Sequence, residues 1–183
     1  MQYISFHGYN VADEGKNTVD RLKPFLDITD VDYGWTGLVK VKLCNSCIAA
    51  AVTNLIPENA AAIGHSNGCL IATLAADSFS KLILINPALD VDQDFPSGLE
   101  VNIYYTPTDK AVFWAKFIPW SKWGAMGRKG SEFCESDAKA YISPNGAKIT
   151  QFNSYELFGS EKHSDVFLSA EQLAQHIKDN DSN

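Results

Sequence analysis

No run in this sequence approaches the roughly 20 consecutive apolar residues that a membrane-spanning helix requires. The opening residues, Met1-Gln2-Tyr3-Ile4-Ser5-Phe6, lack the basic stretch of a secretory leader and read directly as a core strand. Together these absences lead to the expectation of a soluble, cytoplasmic protein. Cations are scarce, with 15 Lys and Arg against 22 Asp and Glu, for a net charge of −7. That balance argues against a general nucleic-acid binder, because affinity for a phosphate backbone is built from clustered Lys and Arg. Only four cysteines occur. Cys44 and Cys47 form a C-x-x-C, but it lies in an apolar helical stretch and no second pair exists to complete a zinc site. With Cys69 and Cys134 they read as buried, reduced thiols, and neither metal nor cofactor is expected. Internal repeats and low-complexity tracts are missing too. What remains is one domain over residues 1–178 of a 183-residue chain, with a flexible tail at 179–183. A chain of this length buries roughly 70% of its unfolded surface.

The informative stretch runs from Ala61 to Ala72. A short apolar run ends in Gly64-His65-Ser66-Asn67-Gly68, and an apolar, alanine-containing run follows at once. This is the G-x-S-x-G nucleophile elbow, with a strand before it and a helix after it. A serine on a strained strand-to-helix turn needs small neighbours two residues away on each side, because a Cβ there would strike the adjoining strand or helix. Gly64 and Gly68 fill both places. The turn lifts the Ser66 hydroxyl to the rim of a sheet, at a helix N-terminus where free N–H groups and the helix dipole favour developing negative charge. The plainer alternative is a tight turn whose serine merely caps the helix. A base, an acid and oxyanion donors elsewhere in the chain decide between the two.

Along the chain, residues 2–6 alternate as a first buried strand and break at His7-Gly8. Residues 17–28 place Val19, Leu22, Phe25, Leu26 and Ile28 at helical spacing, weakened by Pro24. Residues 31–35 read as a short second strand or extended edge, and 38–56 as a helix stopped by Pro57. The elbow strand (60–64) and elbow helix (67–78) follow. Residues 81–87 form a continuous apolar run, the mark of a strand buried on both faces of a parallel sheet. Another strand covers 100–105, a helix 110–118, an irregular stretch 119–147, a last strand 149–155 and a closing amphipathic helix 165–179. Strands alternating with helices imply an α/β protein with a mainly parallel central sheet, and ligands of such sheets bind beyond the carboxyl ends of the strands.

The candidate functional residues all fall at that edge. Of the four histidines, His7 belongs to the His-Gly turn, His65 precedes the serine and points elsewhere, and His176 reads as a surface residue of the last helix. His163, in the polar loop 159–165, is left as the base, and an imidazole suits general-base work at neutral pH. A solvent-exposed loop histidine is the alternative. Asp109 ends a strand and is the candidate to orient His163, with Asp90, Asp92 and Asp94 in reserve; it could instead cap the helix starting at Lys110. The oxyanion donors expected are the backbone N–H groups of Asn67 and, from the loop after the first strand, Tyr9. The latter loop could be a simple turn.

On these residues the chain resembles a small α/β-hydrolase. The order Ser66, Asp109, His163 is that family's order of nucleophile, acid and base, and His7-Gly8-Tyr9, the elbow and both loops take part in the match. It is most similar to compact bacterial and phage esterase-like members, without the leading antiparallel strands and long cap domain of larger ones. The resemblance implies a three-layer αβα sandwich and a cofactor-independent serine hydrolase acting on a small-molecule ester or thioester. Using the same triad, an acyltransferase or peptidase is the alternative within enzymes; a catalytically idle binding protein is the alternative outside them. Residues 110–147 form a candidate small lid or insertion. Within it, Lys110 to Gly130 carries five basic residues and no acid, and Trp114, Phe117 and Trp120 are candidate substrate-binding side chains. Plain packing on the sheet competes with that reading, and contact with a membrane surface is the least favoured. Substrate identity and oligomeric state are not legible in the sequence.

Overall fold

The structure is a computed structural model and describes residues 1–8, 17–31, 33, 38–111 and 123–181, the side chains of 38–43 excepted. Seven strands occur among the described residues: β1 (Tyr3–Phe6), β2 (Ile28–Asp30), β3 (Ala61–His65), β4 (Lys81–Ile85), β5 (Glu100–Tyr105), β6 (Ala140–Ile142) and β7 (Lys148–Asn153). They pair into one sheet in the order β2-β1-β3-β4-β5-β7-β6. Every pairing is parallel except that of β6 with β7. The longer helices are α1 (Leu38–Thr53), α2 (Asn67–Leu74) and α3 (Ala170–Asp179). No described helix is long and apolar enough to cross a membrane.

The pleat of the central strands sends alternate side chains to opposite faces, and two separate cores result. Ala62, Leu82, Leu84, Val101 and Ile103 pack with Ile48 and Val52 of α1 and Leu70 and Ile71 of α2. Ile63, Ile83, Ile85 and Tyr104 face the other way, against Val19, Leu22, Val166, Phe167 and the α3 residues Leu173 and Ile177. This is the expected three-layer αβα sandwich. Each buried Leu, Ile or Val contributes roughly 1.5–3 kcal/mol, which explains why β4, buried along its whole length, reads as an unbroken apolar run after Lys81.

Several local expectations are corrected. Residues 17–28 do not form a helix: a single 3-10 turn, Val19–Leu22, is followed by turns through Leu26, and Ile28 already begins β2. Pro24 has no N–H to extend a helix. β2 covers Ile28–Asp30, and of the strand expected over 31–35 only Val31 and Tyr33 are described, neither of them in a strand. α1 ends at Thr53, and the 165–179 helix starts as a 3-10 turn, Asp165–Ser169, before α3. β6 lies inside the stretch expected to be irregular, and Ser154 and Tyr155 leave the last strand for a helical turn, Ser154–Phe158. Of the helix expected over 110–118, only Lys110 and Ala111 are described, and both are helical. Of the tail expected to be flexible, Asn180 and Asp181 are described, and both are anchored. Lys81, buried at the start of β4, donates to the Asn180 carbonyl and pairs with Asp181, each at 2.8 Å, and Tyr3 donates its hydroxyl proton to Asp181.

Candidate active site

The carboxyl ends of β1, β3, β4 and β5 and the loop after β7 meet on one rim. At its centre, Ser66 has φ 56° and ψ −120°, a left-handed conformation for a residue with a side chain. Such a conformation costs on the order of 1–3 kcal/mol and persists only when neighbours enforce it. Here they do so through hydrogen bonds: Ser66 N–H donates to Ile85 O at 3.0 Å, while Ser66 O accepts from Cys69 and Ala88 N–H at 3.1 and 3.2 Å. The two elbow glycines are sterically required. A Cβ on Gly64 would lie 2.8 Å from Cys69 Cα, and one on Gly68 only 2.2 Å from Phe6 O.

Asn67 heads α2, so its N–H has no acceptor within the helix. Its side chain is buried in a closed network that ties α2 to α1 and to the chain beyond residue 122. Asn67 Oδ1 accepts from Asn45 Nδ2 at 3.0 Å and Trp123 Nε1 at 2.9 Å, and its Nδ2 donates to Asn45 Oδ1 at 3.3 Å. The His7-Gly8 turn lies against the serine, since a Cβ built on Gly8 would be 3.2 Å from Ser66 Cβ. Tyr33 holds this turn: its ring stacks on His7 with centroids 4.2 Å apart and its hydroxyl donates to His7 O at 2.7 Å. Tyr9, expected as the second oxyanion donor, lies outside the described residues, as do Trp114, Phe117 and Trp120.

His163 and Asp109 are brought together. His163 Nδ1–H donates to Asp109 Oδ2 at 2.5 Å, with Asp109 fully buried and His163 partly exposed. The other carboxylate oxygen, Oδ1, accepts the Ala111 N–H at 2.8 Å. The capping reading of Asp109 and the pairing with His163 are therefore both true, one oxygen for each. The loops are aligned by Thr108, whose hydroxyl donates to Glu161 O at 2.7 Å. The reserve carboxylates lie elsewhere. Asp90 and Asp92 are exposed, and Asp94 accepts from Asn145 N–H and the Ser143 hydroxyl.

His65, which precedes the serine, is not idle. Its Nε2–H donates to the backbone oxygen of His163 at 3.2 Å, and the two rings lie 4.7 Å apart. Burial, reinforced by the neighbouring His163, pushes its pKa down to about 3, although the bond to the His163 carbonyl pulls the other way. Asn86, at the end of β4, was missed in the sequence; it donates through Nδ2 to the same oxygen at 2.6 Å. The available signal was a polar residue closing an otherwise unbroken apolar strand at its carboxyl end. His176 is also corrected. It is half-buried on the α3 face of the sheet, edge-on to Phe152, with Tyr104 Oη 2.9 Å from its Nδ1. Of the cysteines only Cys69 is buried, its thiol pKa pushed up by that burial, while Cys47 is exposed and Cys44 and Cys134 are half-buried. Among the described residues, no three His, Cys, Asp or Glu side chains are grouped to hold a metal.

Neither protein-family models nor curated protein sequences match this chain. Solved structures do. Alpha/beta hydrolase domain-containing protein 10 from mouse aligns with a TM-score of 0.55 and 10% identity, over 97% of this chain and 90% of its own. A protein described as a hydrolase of the alpha/beta superfamily, from Xanthomonas campestris, aligns with 0.52 and 16%, over 97% and 98%. Lipase B of Aspergillus fumigatus aligns with 0.52 and 12% over 91% of this chain, which spans about half (49%) of the lipase. With a mostly parallel seven-stranded sheet, two flanking layers and these structural neighbours, the chain has the α/β-hydrolase fold.

Proposed function

We infer that the protein is a serine hydrolase that cleaves a carboxylic ester or thioester through an acyl-enzyme on Ser66. The observation that carries this reading is the 2.5 Å bond from His163 Nδ1 to the buried Asp109, at the rim where Ser66 is held at φ 56°. With Nδ1 carrying a proton for Asp109, the neutral ring keeps a lone pair on Nε2 for the serine. Ser66 Oγ attacks the acyl carbon and His163 Nε2 takes its proton. Asp109 stabilises the imidazolium so formed. The Asn67 N–H, joined by that of Tyr9, holds the oxygen that becomes negative. As the intermediate collapses, the C–O or C–S bond breaks and the leaving alcohol or thiol takes the proton back from Nε2. Water then repeats the sequence on the acyl-enzyme and releases the acid.

The likeness of fold to a lipase and to hydrolases supports the reaction class, and the half-length match to the lipase leaves the substrate's size open. The test is hydrolysis of a series of acyl esters and thioesters, with labelling by a fluorophosphonate probe. Wild-type protein should turn over at least one chain length and be labelled, and Ser66→Ala should do neither. Full activity in Ser66→Ala would refute the mechanism. Added alcohol, amine or thiol acceptors read out acyl transfer by their products, and a wild-type protein inert to both substrates and probe would indicate a binding protein.

A further inference from the structure

The mechanism above leaves two buried polar side chains of the same rim without a task. His65 ends β3 and Asn86 follows β4, the neighbouring strand. Both donate to one acceptor, the carbonyl oxygen of His163, from Nε2 at 3.2 Å and from Nδ2 at 2.6 Å. A carbonyl oxygen has two lone pairs, so this one is gripped from two strands of the sheet at once. We propose that His65 and Asn86 are positioning residues, a two-donor clamp that locks the backbone of His163 so that its Nε2 stays aimed at Ser66. The inference rests on the triad reading.

Three features support it. The first is that plain packing would not choose these side chains. His65 Nδ1 and Asn86 Oδ1 are buried with no hydrogen-bond partner among the described residues, and Asn86 also adopts a φ of 44°. Half-satisfied buried polar groups and left-handed backbone are both destabilising, and an apolar residue would avoid the first cost. The second is where the clamp is anchored. His163 is carried by a loop, whereas the donors stand at the ends of fully buried central strands. Tied to Asp109 through its ring and to the sheet through its carbonyl, His163 is held at both ends of the residue.

The third feature is charge. The His65 ring lies 4.7 Å from the His163 ring. Its Nε2 must carry the proton, because a carbonyl can only accept, and its Nδ1 is bare and buried. A neutral imidazole and a neutral amide grip the loop without opposing the positive charge that His163 acquires when it takes the serine proton. Lysine or arginine donors would oppose it.

The experiment uses the full chain. His65→Phe keeps a ring against Phe167 and removes the donor; Asn86→Gly tolerates the backbone conformation and removes the donor; His65→Gln keeps an N–H at that place. Activity is read on a short-chain p-nitrophenyl ester, with the rate of fluorophosphonate labelling. Proton NMR reads the His163 Nδ1 proton in its bond to Asp109. His65→Phe and Asn86→Gly should each lower kcat roughly 10- to 100-fold, the scale of loss when a reacting group is misplaced by about 1 Å, with KM nearly unchanged. The Nδ1 proton signal should shift or broaden in both. His65→Gln should recover most of the rate and the signal. Wild-type kcat and an unchanged proton signal in the two donor-less variants would overturn the clamp, as would a His65→Gln variant as impaired as His65→Phe. His163→Ala, measured alongside, separates the two readings: retained activity there rejects the triad, while activity lost there and kept in His65→Phe and Asn86→Gly rejects the clamp alone.

Discussion

His65 is wholly buried and its pKa is held near 3 by desolvation first and by His163 second. An exposed histidine titrates near 6.5. As pH falls below about 6.5 the unfolded chain therefore takes up a proton that the folded chain refuses. The stability that neutral His65 contributes is complete above that pH and is lost progressively towards about pH 3. Between about pH 6.5 and 5 the loss amounts to about 2 kcal/mol. Urea denaturation across that interval should show wild-type stability falling more steeply than that of His65→Gln, which has no group to titrate. At Asp109 the expectation concerns rate. Asp109→Asn keeps the shape but presents an N–H towards His163 Nδ1, which favours the wrong tautomer of the ring. The kcat for ester hydrolysis should drop on the order of 10³- to 10⁴-fold with the fold retained. The residue types at this site were legible because the proposed acyl transfer needs them: a serine between glycines, an acid after a strand and a histidine in a loop. The clamp residues were not, because nothing local says that a histidine beside the elbow serine bonds the backbone of a loop 98 positions away.

The elbow is a strand and a helix forced together, and the tolerance there is small. A Cβ on Gly68 would reach within 2.2 Å of Phe6 O and 2.6 Å of His7 O. Gly68→Ala must therefore push α2 away from the end of β1, destabilising the protein by about 1–3 kcal/mol and displacing the Asn67 N–H. Both the Tm and the rate of fluorophosphonate labelling should fall. The same packing explains which elements were readable beforehand. β3 and β4 are buried along their whole length and, apart from His65 and Lys81, read as apolar runs, and α3 shows its buried face at Leu173, Ala174 and Ile177. β6 is three residues long, half-exposed to exposed, and paired only along β7, so it leaves almost no pattern. Between residues 17 and 28 the helical spacing of Val19 and Leu22 arises in a 3-10 turn, which buries the same residues with a single turn of backbone.

Across the whole molecule the two edges of the sheet do different work. The carboxyl edge carries the candidate site, and the opposite edge holds Asn180 and Asp181. Lys81, almost fully buried, meets Asp181 at 2.8 Å, the Asn180 carbonyl at 2.8 Å and Glu100 at 3.3 Å. Removing residues 180–183 would leave that ammonium with Glu100 alone, and stripping a partner from a buried charge typically costs about 3 kcal/mol or more. Truncation after Asp179 should lower unfolding free energy by that order in urea denaturation. The rim lies at the other end of β4 from Lys81, so the truncated protein should still label with fluorophosphonate under native conditions.

The sequence by itself determined the alternation of strands and helices, the central buried strands and the elbow, because each depends on neighbours within a few residues: burial periodicity, and glycine where a Cβ would collide. Only the tertiary structure decided that Asp109 both starts a helix and holds His163, 54 residues away, that Asn86 and His65 share one carbonyl, and that His176 is packed against aromatic rings. Those bonds depend on which strands lie side by side in the sheet and where their loops end. That order is set by the burial of both faces at once, and no short stretch of chain carries it.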